Sequence, residues 1–272
     1  MHTQPSLPQR PFGDTGIAVS IIGLGTVKLG RNQGVKYPQA FAIPDDDAAA
    51  NLIAQAKDLG INLIDTAPAY GNSEERLGHL LQGQRSDWII CTKVGEEFDN
   101  GESRFDFSAQ HTRFSIERSL QRLRTDVLDI VLVHSEGNDL DVIHHSDALD
   151  TLARCKQAGL IRAFGVSTKT VAGGIAAAQL SDGVMATYNA LYTDELPVLD
   201  YCQTHNKGVL IKKALASGHI GTHGIATNKT TEISADDSLR TVLHHPAVSS
   251  AIVGTINLQH LRDNIRTAAE LN

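Results

Sequence analysis

The sequence predicts a closed (β/α)₈ barrel of the TIM class, on three observations. Eight short apolar, β-branched runs alternate with eight longer stretches of helical spacing. The runs are apolar on both faces, as strands of a parallel sheet covered on both sides must be. The first run ends in IIGLGTVKLG and lacks the GxGxxG spacing with which an open, doubly wound sheet usually begins its dinucleotide site. Right-handed crossovers leave a barrel or an open sheet for such an alternation, and eight equal units favour closure.

Ahead of the first unit, PFGDTGIAVS reads as an N-terminal β-hairpin, with Gly13-Asp14 and Thr15-Gly16 as turn chemistry, placed to cap the barrel floor. Strands are expected at IIGLG from Ile21, INLID from Ile61, WIICTK from Trp88, LDIVLVH from Leu128, LIRAFGVS from Leu160, GVMATY from Gly183, GVLIKK from Gly208 and SSAIVG from Ser249. Helices are expected over Asp45 to Leu59, Ser73 to Leu81, Ser108 to Leu123, Asp147 to Gln157, Thr170 to Leu180, Asp194 to Thr204, Ser234 to Leu243 and Asn257 to Leu271. Asp45, Ser73, Ser108 and Asn257 are start signals, and Gly60 and Gly159 are stops. Irregular stretches fall at 27–44, 95–107, 135–144 and 216–233. Each follows the C-terminal end of a strand, the face on which a barrel builds its active site. No shift of composition divides the chain, so one domain over residues 1–272 is expected.

A length of 272 residues suits one such barrel, and 41% apolar side chains with 23 glycines exclude disorder and fibre. The 24 Lys and Arg against 31 Asp and Glu leave a formal charge of -7, which repels phosphate backbones and acidic bilayers. No nucleic-acid or membrane partner is expected. No apolar run approaches the ~18 residues of a membrane span, and MHTQPSLPQRPFG lacks the basic and apolar regions of a signal peptide, so the expected location is cytoplasmic. Cys91, Cys155 and Cys202 are odd in number, far apart and without a CxxC pair, and they read as reduced thiols.

Four polar residues lie at or just past strand ends: Asp65, Tyr70, Lys93 and His134. Inward-pointing ends of adjacent strands converge on one rim. A Lys and an Asp there form a desolvated ion pair, and an ammonium beside a phenol lowers the phenol pKa from about 10. Tyr70 would then protonate a carbonyl oxygen as hydride reaches the carbon, with His134 helping to hold that oxygen. Taken singly, each residue has a plainer reading: an ion pair at the barrel mouth, a loop aromatic, a core histidine. Four together at one rim reverse those odds.

INLIDTAPAYGNSEERLGHLL, WIICTKVG, DIVLVHS and FGVST resemble the signature segments of the aldo-keto reductase family, and the resemblance runs from GLG near the first strand to IVGTINLQHLRDN. It implies a catalytic tetrad of Asp65, Tyr70, Lys93 and His134 with Tyr70 as general acid. It also implies a barrel that binds an extended nicotinamide dinucleotide with no Rossmann domain. For the cofactor it points to Ser167, to Thr168 where the family has an asparagine, to Met185 where glutamine is common, and to Lys212 where an aromatic often stacks on the nicotinamide. Leu215, Ser217 and Gly218 match the pyrophosphate loop. Gly254, Thr255, Asn257 and His260 stand at the ribose-phosphate end, where relatives use lysine for Gly254 and arginine for His260, and Asn264 matches the residue near the adenine. A helix capped by Asn257 offers an anion site at its N-terminus, with Arg262 nearby.

The implied function is NAD(P)H-dependent reduction of a small aldehyde or ketone, or the reverse oxidation, with NADP(H) favoured and NAD(H) possible. The alternative is a cofactor-binding regulatory or redox-sensing subunit with slow turnover, for which the altered Thr168, Met185 and Lys212 leave room. Phe98, Phe105 and Phe107 beside Arg104 suggest either an apolar pocket wall or a loop packed on itself. His219 and His223 have i, i+4 spacing without the helix or partner ligands of a metal site. The pairs His144-His145 and His244-His245 read as surface residues, and Cys91, two before Lys93, as core filling.

Overall fold

The structure, a computed structural model, describes residues 7–220 and 233–271. Its strands are β1 Gln9–Pro11, β2 Ala18–Ser20, β3 Ile22–Gly25, β4 Leu63–Asp65, β5 Ile89–Val94, β6 Glu96–Asp99, β7 Glu102–Phe105, β8 Leu128–His134, β9 Ile161–Ser167, β10 Gly183–Thr187, β11 Gly208–Lys212 and β12 Ser250–Val253. Its helices are α1 Val27–Gly30, α2 Asp46–Asp58, α3 Ser73–Leu80, α4 Ala109–Arg122, α5 Asp139–His145, α6 Ala148–Gln157, α7 Val171–Leu180, α8 Leu196–Thr204, α9 Ala235–His244 and α10 Leu258–Ala269. Eight parallel strands close in the order β3, β4, β5, β8, β9, β10, β11, β12 and back to β3. All eight expected strands form, because runs apolar on both faces have an interior and a helix layer to fill.

Side chains fill two layers. Leu63, Cys91, Ile130, Leu132, Ala163, Met185 and Leu210 fill the barrel interior, and a second core lies between barrel and helices. The hairpin β1/β2 closes the floor as expected, and Phe12, beside it, belongs to the interior cluster. A Cβ at Gly208 would come within 2.3 Å of the Phe12 ring, and one at Gly183 within 2.4 Å of Gly208 O. Bare backbone at both positions lets the plug seat. All three cysteines are buried and free.

Side-chain caps set half of the α-helix starts among the described residues. Asp45 and Ser108 accept from the N–H groups of Ala48 and His111, and Ser234 forms a capping box with Asp237. Ser73 departs from expectation: Asn72 precedes the helix without a side-chain cap, and Ser73 Oγ instead donates to Thr26 Oγ1 (2.8 Å). The helix expected from Asp194 starts at Leu196, with Pro197 in its first turn. Three stretches read as irregular hold short elements. α1 lies within 27–44, the antiparallel hairpin β6/β7 within 95–107, and α5 begins within 135–144 and ends one residue past it. These elements are too short to show a period. Among the described residues no helix is long and apolar enough to cross a membrane, and no group of three or more His, Cys, Asp or Glu could hold a metal ion.

Candidate active site

Strand register assembles the site. Asp65 pairs with Cys91, Lys93 with Leu132, and His134 with Ser167, which itself pairs with Met185. Side chains alternate along a strand, so Cys91 and Lys93 face inward together, as do Leu132 and His134. Lys93 Nζ donates to Asp65 Oδ1 (2.7 Å) and to Thr66 O (2.9 Å), and both side chains of the pair are buried. Tyr70 comes from the loop after β4. A Cβ at Gly71 would fall 2.1 Å from Gly30 O, and one at Gly30 2.2 Å from Tyr70 O, so this close backbone approach to the end of α1 requires two glycines. The result places Lys93 Nζ 4.7 Å from the Tyr70 ring centroid and the His134 ring 6.4 Å away, nearly perpendicular.

Burial alone lowers the pKa of the Lys93 ammonium, but Asp65, Tyr70 and Cys91 together hold it above its ordinary value. The ammonium therefore stays charged. Tyr70 corrects the expectation of a lowered phenol. Burial raises its pKa above the usual value and outweighs the opposing pull of Lys93, with Asp65 adding to the rise. The resting phenol is protonated, the state a proton donor needs. For His134 burial lowers the pKa, Lys93 and Lys212 add to that, and Glu96 opposes it, leaving a net lowering.

One cavity of about 980 Å³ opens on this group. Asp65, Tyr70, Lys93 and His134 line it together with Ser167, Met185, Lys212, Leu215, Ser217, Gly218, Gly254, Thr255, His260 and Asn264. Thr168 and Asn257 do not. Thr168 is fully buried, with its Oγ1 unpartnered. Asn257 Oδ1 accepts from the N–H groups of Gln259 and His260, which consumes donors that an anion would have used. Arg262 reaches Gln55 (2.8 Å) and does not line the cavity. Lys212 lines it but donates to Ser167 Oγ (3.0 Å) and Thr168 O (2.5 Å). Burial pushes its pKa down to about 7, against the pull of Glu195.

The remaining candidates fall elsewhere. Phe98, Phe105, Phe107 and Arg104 do not line the cavity; Phe105 stacks on Phe107, which packs against the core between barrel and helices, and Arg31 stacks on Phe98 at 3.3 Å. His219 is exposed, and His223 lies outside the described residues. His144, His145 and His244 are exposed, whereas His245 is half-buried against Tyr188. Several cavity residues escaped the sequence reading: Arg31, Lys28, Tyr37 and Arg266. Tyr37, in the segment after α1, stacks edge-on against Phe41 and sits 4.3 Å beneath Lys28 Nζ. Nothing in local spacing marks these residues. Glu96 was missed as well, though an acid three residues past Lys93 was a visible signal.

A family model for the Aldo/keto reductase family matches residues 21–237. A solved structure of an aldo-keto reductase from Pseudomonas aeruginosa superposes with a TM-score of 0.87 at 52% identity, covering 98% of both chains. The oxidoreductase YqkF of Bacillus subtilis is 27% identical over 96% of this chain and 90% of its own length. L-Galactose dehydrogenase of Arabidopsis thaliana is 40% identical over 58% of this chain and 47% of its own.

Proposed function

Because the chain belongs to the aldo/keto reductase family and is an NAD(P)-dependent oxidoreductase, we propose that it interconverts a small aldehyde or ketone and its alcohol, with Tyr70 as general acid. The observation that carries this reading is the convergence of a protonated Tyr70, the Lys93–Asp65 pair and His134 at one end of a cavity that extends past Ser167, Gly218 and Gly254.

The residues present fit a nicotinamide dinucleotide. The cavity has the volume of sites that bury small ligands, roughly 300–1,000 Å³. At Gly254 a Cβ would point at Tyr37 Oη, 3.0 Å away, so the strand end keeps bare backbone there. Ser167 and Asn264 would hold the two ends, and Leu215, Ser217 and Gly218 the middle. Bound there, the nicotinamide supplies hydride for reduction or accepts it for oxidation. Tyr70 donates its hydroxyl proton to the carbonyl oxygen, Lys93 stabilises the phenolate left behind, and Asp65 keeps Lys93 in place.

NADP(H) is favoured and NAD(H) usable. Arg266 is a cation at the adenosine end of the cavity, but it is tied to Asp263 (2.9 Å), which weakens its hold on a 2′-phosphate. The slow-turnover reading has one observation on its side, the engagement of Ser167 Oγ by Lys212. Residues 1–272 are read as one domain, in the cytoplasm, with a small carbonyl or alcohol as partner and no nucleic acid. Titration with NADPH and NADH followed by multiple-turnover assays on a carbonyl panel tests the function. Sustained turnover supports it, and tight cofactor binding without turnover overturns it.

A further inference from the structure

Two lysines of the barrel wall, Lys93 on β5 and Lys212 ending β11, line the same cavity in opposite surroundings. Lys93 has a carboxylate oxygen of Asp65 at 2.7 Å. Lys212 forms no ion pair among the described residues, and its Nζ has two partners there, Ser167 Oγ (3.0 Å) and Thr168 O (2.5 Å). Both are uncharged acceptors.

The donor count fixes which form of the nitrogen fits. An ammonium has three N–H groups, and the third finds no acceptor among the described residues. A neutral amine has two, both are donated, and its lone pair is left over. Ser167 pairs in register with His134, so the amine held on Ser167 stands at the end of the cavity that Tyr70, Lys93 and His134 line. Lys212 is only half-buried, so a ligand in the cavity can touch it. The charged and titratable groups facing it are Glu195 before α8, Asp139 of α5, Lys213 after β11, Lys169 after β9 and His134. Burial and the two lysines drive off its proton against the pull of both acids, and the balance falls at about 7.

We propose that Lys212 is a nucleophilic amine that condenses with small aldehydes entering the cofactor-free cavity, giving an imine on the β11 wall. The nitrogen lone pair attacks the carbonyl carbon, and one amine hydrogen moves to the oxygen to give a carbinolamine. The C–O bond then breaks, the second amine hydrogen leaves with the hydroxyl as water, and a C=N bond forms. No oxidant or reductant is consumed. Aldehydes are taken in preference to ketones, whose carbon is less electrophilic and more crowded. An imine on Lys212 and a nicotinamide held at Ser167 compete for one place, so the adduct sets aside protein that carries no cofactor. The condensation needs no hydride, and only this competition rests on the proposed function.

The test uses the full chain at pH 7 with no nicotinamide added, incubated with propanal and sodium cyanoborohydride, which reduces an imine to a stable propylamine. Peptide mass spectrometry then locates the modified lysines. At this pH an amine of pKa about 7 is half neutral, against roughly one part in 10³ for an ordinary lysine, although its weaker basicity lowers its intrinsic reactivity. Lys212 is therefore expected to take the label about 10²-fold faster than exposed lysines such as Lys57, with Lys93 unlabelled. Saturating NADPH should suppress the label, and Lys212→Arg should lose the first equivalent of propyl group. Label spread over exposed lysines with no excess at Lys212 overturns the inference, as does label that reaches Lys93 first; the wild-type map decides this without any variant. Label at Lys212 that NADPH leaves unchanged upholds the imine and counts against the cofactor placement in the proposed function. Absence of turnover with every carbonyl counts against that function alone, and the label at Lys212 still decides the imine.

Discussion

Removing the ammonium of Lys93 should damage chemistry and stability by different routes, and a second substitution separates them. Lys93 is 1% exposed and Asp65 3%, and Nζ makes two hydrogen bonds, to Asp65 Oδ1 and Thr66 O. Lys93→Met strands the Asp65 carboxylate in the barrel mouth. Breaking one side of a buried pair costs about 3–5 kcal/mol. At roughly 2–4 °C per kcal/mol for a chain of this size, Tm should fall by about 6–20 °C. Asp65→Asn with Lys93→Met removes both charges, and most of that loss should return. Activity should not, because no cation remains to stabilise the Tyr70 phenolate, and kcat should stay down by roughly 10²-fold or more. Thermal melts by circular dichroism beside NADPH oxidation with an aldehyde provide the two readouts. If the double variant regained turnover along with its melting temperature, Lys93 would be only an ion-pair partner and the proposed chemistry would fail.

Tyr70→Phe keeps the ring and removes the proton donor, so kcat for carbonyl reduction should drop about 10²–10⁴-fold while NADPH affinity, read by fluorescence titration, stays within error; near-normal turnover would refute the assignment. NADPH should be preferred over NADH by a modest factor in kcat/KM, and His260→Arg should widen the gap about tenfold by adding one charge-assisted contact. Gly254→Lys is the poorer probe, since its Cβ has to displace Tyr37. Lys212 binds fewer protons folded than unfolded between about pH 7 and its ordinary value of 10.5, so its contribution to stability rises with pH across that window. Lys212→Met should remove this slope in urea denaturation run at pH 7 and 9.5, and by freeing Ser167 Oγ it should tighten cofactor binding; an unchanged slope would show that Lys212 is charged in the folded protein.

The barrel and the tetrad positions were legible because both rest on local periodicity. Runs apolar on two faces state that a strand is covered on both sides, and a polar residue ending such a run must sit at the rim. Asp65, Lys93 and His134 are of this kind, and the DTAPAYG turn carries Tyr70 with them. The short hairpin β6/β7 and helix α5 were not legible, since strands of four residues and a helix of two turns show no clear period and their order comes from the barrel they lean on.

What the sequence by itself determined is therefore which side chains reach the mouth of a closed barrel. What only the tertiary structure decided is their state. The Tyr70 phenol is raised because burial there exceeds the pull of Lys93, a balance that no residue spacing expresses. His134 faces Glu96 across 38 positions of chain, and Lys212 reaches Ser167 across 45. Such contacts depend on the reach of side chains between loops that the closed barrel brings together, and electrostatic effects over a few ångströms follow distance in space, not order in the chain.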